Sequence, residues 1–131
     1  MTVCAGTEDV AVFPEHMKML LVCVNRTYEA EGVYDAARYS WKISLAKAEQ
    51  AKYVLAVAHG VIIGVFDANE WRPATKLNFP TISDEHGNWE RQSGRLGFVG
   101  HSASNDVSQL IGKCVPAKWG FRGNPVRYVN F

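Results

Sequence analysis

Apolar positions along this chain fall into short, separated runs. Met19 to Val24 (MLLVCV) is apolar throughout and is bounded by Asn25-Arg26-Thr27, a pattern that predicts a buried strand. Glu29 to Gly32 reads as a turn. From Val33 to Ala51 the period becomes helical, with Tyr34, Ala37, Trp41, Leu45 and Ala48 on one stripe. Ser44 is equally suited to be an N-cap, which would divide the stretch into two shorter helices. Tyr53 to Ala58 (YVLAVA) and Val61 to Phe66 (VIIGVF) flank His59-Gly60 and predict a β-hairpin, with Gly64 marking a bulge or close backbone approach.

Beyond the hairpin the signals weaken. Trp71-Arg72-Pro73 ends the strand region, because proline cannot donate to a central ladder. Residues 75–93 are polar around Pro80, the 84–88 segment and Trp89, and predict a long loop of the kind that is usually functional or mobile. Arg95 to His101 predicts a third sheet strand, weakened by Gly97 and Gly100. Val107 to Ile111 suits a short helix, Lys118 to Pro125 a glycine-rich basic loop, and Val126 to Phe131 a last strand. One early helix and a sheet built mainly of hairpins define an α+β domain, with a strongly bent, mostly antiparallel sheet or a small barrel.

Bulk properties narrow the class. A chain of 131 residues fits one domain, and 47% apolar with 21% charged residues is a folded composition. No run reaches the length of a membrane span, and the first 17 residues carry Glu8, Asp9 and Glu15 without a basic leader pattern. Cys4, Cys23 and Cys114 are odd in number and far apart, which points to reduced thiols in a cytoplasmic setting. The four histidines show no ligand spacing, so no metal or other cofactor is expected.

Charge is uneven. Residues 1–90 hold 8 Lys+Arg against 12 Asp+Glu, whereas residues 91–131 hold 6 against Asp106 alone. Two readings stand: an anionic partner for the C-terminal part, or a solvated face that pairs with the acidic half.

Catalytic patterns are sparse. His101-Ser102 lacks a nucleophile elbow. The Gly94, Gly97, Gly100 series lacks the Lys-Ser/Thr of a phosphate loop, and strand glycines packed against an aromatic explain it better. Tyr34, Arg38 and Trp41 share one helical face. An arginine inside an apolar stripe needs partners, either a carboxylate such as Asp67 or Glu70, backbone carbonyls, or a ligand. Four tryptophans are many for this length. Lys113 to Arg127 interleaves Lys118, Arg122 and Arg127 with Trp119, Phe121 and Tyr128, a composition suited to stacking a base while cations meet phosphate.

The motif order resembles the PUA-like superfamily, which holds the EVE, YTH and ASCH domains. An opening strand (MLLVCVN) leads to a helix with Tyr34-Asp-Ala-Ala-Arg-Tyr-Ser-Trp41, and strands YVLAV and GVIIGVF follow. Trp71-Arg-Pro-Ala74, Gly94-Arg-Leu-Gly-Phe-Val-Gly100 and Asn124-Pro-Val-Arg-Tyr128 are similar to an uncharacterised bacterial and phage set. The resemblance runs from about Leu20 to the C-terminus and leaves residues 1–18 outside. It implies a curled sheet with a pocket between the first helix and the barrel, where Trp41 and Trp71 would be walls and Ser40 and Asn25 would bond a base edge.

The sequence thus suggests a non-catalytic module for nucleic acid or a nucleotide-like small molecule, a role open to a phage protein that sequesters a nucleotide signal. Its candidate residues are Asn25, Tyr34, Arg38, Ser40, Trp41, Trp71, Arg95, Trp119, Arg122, Asn124 and Arg127. Two alternatives remain. One is a small ASCH-like hydrolase of a nucleoside or amide, with Lys42 and Glu70 as its acid–base pair. The other is a protein-interaction module built on the Trp89 loop.

Overall fold

A computed structural model describes residues 9–103, 105–121 and 123–131, with Asn105 and Asp106 described in backbone only. In chain order the elements are β1 (Met19–Cys23), α1 (Tyr28–Glu31), α2 (Val33–Arg38), α3 (Leu45–Gln50), β2 (Tyr53–Ala58), β3 (Val61–Pro73), α4 (Asp84–Gly87), β4 (Leu96–Ser102) and β5 (Val126–Val129). Short 3-10 turns occupy Trp89–Arg91, Asn105–Leu110 and Ala117–Trp119.

The strands form one five-stranded sheet in the order β4-β3-β2-β1-β5. β1 and β2 run parallel, and the other neighbours are antiparallel. The parallel pair follows from the chain between them, because α1 to α3 carry it back across one face. The sheet is open, with β4 and β5 at its edges, so the barrel alternative does not hold. The single main helix is also corrected. Residues 39–44 leave the helical conformation, and Ser44 caps α3 by accepting from the Lys47 N–H at 3.4 Å. Of Glu29 to Gly32, read as a turn, residues 29–31 lie in the short helix α1 and Gly32 is its C-cap.

Both faces of the central strands are buried. Leu20, Val22, Val54 and Ala56 pack with Ala36 and Ala37 of α2, Phe66 and Phe98 on the first face. Met19, Leu21, Leu55 and Val57 point to the second face, which Ala11, Ala103, Val107 and Leu110 cover. Residues 9–11 join this layer. Val10 bridges to Cys114, the Ala11 N–H donates to the Cys114 carbonyl at 2.9 Å, and Ala11 is core. Cys114 is disulfide-bonded while Cys23 is free, which removes the reduced-thiol argument for a cytoplasmic setting. Residues 9–11 pair with the Cys114 backbone, a contact invisible in the cysteine spacing. Among the described residues no helix is long and apolar enough to cross a membrane.

The hairpin matches its sequence signal. His59 and Gly60 both have positive φ, 52° and 81°, as a two-residue turn of this hand requires. The register shifts between Ala56 and Val57, opposite Gly64 and Ile62, so the predicted bulge is present. Residues 75–93 are less loop-like than their composition suggests. Phe79 and Ile82 are buried in a satellite cluster with Tyr39 and Ala74, and Trp89 packs against it.

Strand glycines let this segment close. A Cβ on Gly97 would lie 2.6 Å from the Phe79 ring and 2.6 Å from the Arg38 carbonyl. A Cβ on Gly100 would lie 1.8 Å from the Asp67 carbonyl, at the β3–β4 register shift. Gly100→Ala is therefore expected to destabilise the domain by about 1–3 kcal/mol or more, as overpacking against backbone does. Urea unfolding checks this, and an unchanged midpoint would contradict the packing described.

Candidate functional site

A cleft of about 650 Å³ opens over the C-terminal end of β1. One wall comes from Ala36 of α2 and the extended Tyr39-Ser40-Trp41 segment that follows. Phe121, Gly123, Asn124 and Pro125, ahead of β5, also line the cleft. The floor and lip come from Cys23 and the Asn25-Arg26-Thr27 turn. His86 and Gln92, from the 75–93 segment, close the remaining side.

The walls are fixed from behind. The Trp41 indole N–H donates to the Ala37 carbonyl at 2.7 Å, and its backbone bridges Leu96 of β4. The Tyr39 hydroxyl donates to the Gly87 carbonyl at 2.5 Å, and its ring meets Phe79, His86 and Trp89. Burial pushes the Tyr39 phenol up to about 12, partly offset by the nearby Arg95 charge. Ser40 Oγ donates to Gln92 Oε1, and Arg95 Nη1 donates to the Ser40 carbonyl at 3.3 Å.

The lining is polar but nearly neutral. Its polar side chains are amides, hydroxyls, one imidazole, one thiol and Arg26, and no carboxylate is among them. Asn25 Oδ1 accepts from the His59 N–H at 2.8 Å, and Asn124 Oδ1 accepts from the Val126 N–H at 3.0 Å. Each amide oxygen thus serves the fold. Each Nδ2 has no hydrogen-bond partner among the described residues and is left for a ligand. Such a set suits a flat, polar ring held by its edge, and no group of three or more metal-ligating side chains occurs among the described residues.

Of the residues expected from sequence, Asn25, Ser40, Trp41 and Asn124 meet in this cleft. Arg95 supports it from behind. Tyr34 and Arg38 are structural. The Tyr34 hydroxyl donates to the Gly100 carbonyl and accepts from the Gly100 N–H, both at 2.9 Å. Arg38 is 8% exposed and its Nε donates to Asp35 Oδ1 at 2.9 Å. Its Nη2 donates to Thr81 Oγ1, also at 2.9 Å, and the guanidinium lies over Tyr34 and Phe79. Its partner is thus Asp35, one turn back on α2, rather than Asp67 or Glu70. Trp71 packs on Phe98 at 5.3 Å and does not line the cleft. Trp119 and Arg127 lie on the second face, beside β5, with the guanidinium 5.7 Å from the indole centroid. Arg122 lies outside the described residues. Lys42 and Glu70 are not cleft residues. Glu70 accepts from Arg72 at 2.7 Å, which holds its carboxyl below the usual range.

Sequence reasoning missed Arg26, Thr27, His86, Gln92 and Phe121 as lining. The first two directly follow a buried strand, a position where clefts commonly form. His86 and Gln92 carried only the signal of a long polar segment. Comparison of the chain with family models, with curated proteins and with solved structures returns no match.

Two outcomes follow from the geometry behind the cleft. The folded state favours the neutral Tyr39 phenol, so its contribution is fully present below pH 10 and is lost as the pH rises through about 12. Tyr39→Phe should flatten that alkaline loss in chemical unfolding while costing about 1–2 kcal/mol near neutrality for the orphaned Gly87 carbonyl. Arg38→Ala should lower stability by about 1–3 kcal/mol, leaving Asp35 and Thr81 without their donor. Arg38→Lys should recover little, because an ammonium cannot reproduce the planar fork.

Proposed function

We propose that this domain is a non-catalytic, PUA-like binding module whose cleft takes a nucleotide-like ligand by its base. The observation that carries the reading is the presence of Asn25 and Asn124 in the same cleft lining. Both have committed amide oxygens and uncommitted amide N–H groups, beside the apolar surfaces of Trp41, Phe121 and Pro125. Amide donors beside aromatic side chains suit the acceptor atoms at the edge of a heteroaromatic ring. Arg26 at the lip supplies positive charge for a phosphate.

The PUA-like assignment draws support from the way its motifs converge. Trp41 from the first motif bridges Leu96 within the third, and Asn124 from the last motif lies in the same cleft lining as Trp41. Binding is favoured over hydrolysis because the lining lacks a carboxylate to pair with His86 as acid and base.

The test uses substitutions that keep the fold's own bonds. Asn25→Asp and Asn124→Asp retain the oxygen that accepts from His59 and Val126 but replace the free N–H₂ with an acceptor. Calorimetric titration with uncharged nucleosides, then with their monophosphates, should show each variant about tenfold weaker, with unfolding midpoints close to the parent's. Absence of binding to any nucleoside or nucleotide by the parent protein, or equal affinity in both variants, rejects the reading.

A further inference from the structure

The described ion pairs are confined to one part of the molecule. Arg38–Asp35, Arg72–Glu70, Lys76–Asp84 and His101–Asp67 all lie on α2, β3, β4 or the 75–93 segment. Around the β5 edge the cations are placed differently. Among the described residues, Lys18, Lys47, Lys118 and Arg127 have no carboxylate partner, and each lies over an aromatic ring, with Lys18 Nζ also donating to Gln50 Oε1 at 2.7 Å and Arg127 Nη2 to the Lys118 carbonyl at 3.2 Å. Lys47 Nζ is 5.0 Å from the Tyr128 centroid, and Lys18 Nζ is 5.6 Å from that of Phe131. The Tyr128 and Phe131 rings are 5.1 Å apart, so these four side chains form a continuous cation–ring–ring–cation row. Glu15 and Glu49, the acids nearest to Lys18 and Lys47 in sequence, make no ion pair with either.

This row connects to the cleft. A smaller cavity of about 230 Å³ runs beside β5, lined by Phe121, Asn124, Arg127 and Tyr128. It shares Phe121 and Asn124 with the cleft. The path from Trp41 to Phe131 therefore alternates open space with aromatic faces and is flanked by unneutralised cations. Phe131 is 42% exposed, a large ring left in water beside a lysine.

We propose that the β5 edge is a binding track for single-stranded nucleic acid, with bases stacking on Tyr128 and Phe131 and phosphates meeting Lys47 and Lys18. A single strand matches what the row offers, two aromatic rings set edge to face at 5.1 Å with a lysine against each, because it carries both bases to stack and a regular negative backbone. A duplex hides its base faces, and an acidic peptide lacks them. The proposal rests on the nucleotide-like reading of the cleft only in that the strand's end base would enter it.

The experiment is fluorescence anisotropy of the full chain with a labelled 12-nucleotide single strand at several salt concentrations. Binding should weaken with salt, with a log–log slope of roughly −0.7 per phosphate engaged. The Lys18→Gln/Lys47→Gln double variant should flatten that slope by about 1.4. Phe131→Ala, at an exposed position, should weaken binding by about five- to hundredfold with the slope unchanged, as loss of a stacked base does. Equal competition by duplex DNA or by poly-glutamate overturns the proposal, as does an unaltered slope in the double variant. The two readings separate cleanly. If mononucleotides bind through Asn25 and Asn124 but the 12-mer binds no tighter, the track is rejected and the cleft stands. If the 12-mer binds with the edge signature while both Asn→Asp variants are neutral, the cleft reading fails and the track stands.

Discussion

The parallel pairing of β1 with β2 sets the terms for everything around it. Both strands sit inside the sheet, and Met19, Leu20, Leu21, Val22, Val54 and Leu55 are wholly removed from water. A strand apolar on both faces needs two covering layers. The chain supplies α2 and its neighbours on the first face. On the second it supplies the 9–17 segment, the 105–110 turn and Trp119 with Phe121. Parallel pairing also requires the β1–β2 connection to cross over the sheet rather than turn back. That crossover carries the Tyr39-Ser40-Trp41 wall over the end of β1, and the cleft is the space it leaves.

The 75–93 segment holds that wall in place. Thr81 accepts from Arg38, the Gly87 carbonyl accepts from Tyr39, and Gln92 accepts from Ser40. Ser83 donates to Glu31 at 3.3 Å, which adds α1 to the same network. The four anchors on the crossover sit on Glu31, Arg38, Tyr39 and Ser40, and the last two line the cleft. The segment is therefore a brace. It delivers His86 and Gln92 to the cleft while burying Phe79 and Ile82 against Gly97 and Tyr39.

Electrostatics divides the molecule along the same axis. The β3–β4 side and the brace neutralise their charges internally, as surface pairs that add little stability. The β5 side leaves its cations resting on rings. Lys47 lies over Tyr128 and Lys118 over Trp119, with no carboxylate partner for either among the described residues. The expectation that the basic C-terminal part pairs with the acidic N-terminal part finds no ion pair among the described residues. His101 with Asp67, at 3.5 Å, is the nearest case, and His101 is not one of those basic residues.

Much of the local structure was legible in the residues. The MLLVCV run, the His59-Gly60 hairpin with its Gly64 bulge, and the Ser44 cap all depend on short-range patterns, and short-range patterns survive without a fold. Trp41 was identifiable as an aromatic at an element end, whereas Asn25, Ser40 and Asn124 were named only through the PUA-like resemblance. Tertiary structure decided the rest. The 33–51 stripe is helical in period, yet the chain breaks after Arg38, because the Trp41 backbone pairs with Leu96, 55 residues away. The open sheet depends on β5 pairing with β1, a contact more than a hundred residues apart that no local period encodes. Arg38 and Trp119 look alike in sequence, each a functional candidate beside aromatics. Only the approach of Asp35 and Thr81 makes the first structural, and only the register of β5 puts the second across the sheet from Trp41. A sequence records which side chains are available, while which of them share a cavity depends on distances that long-range pairing alone sets.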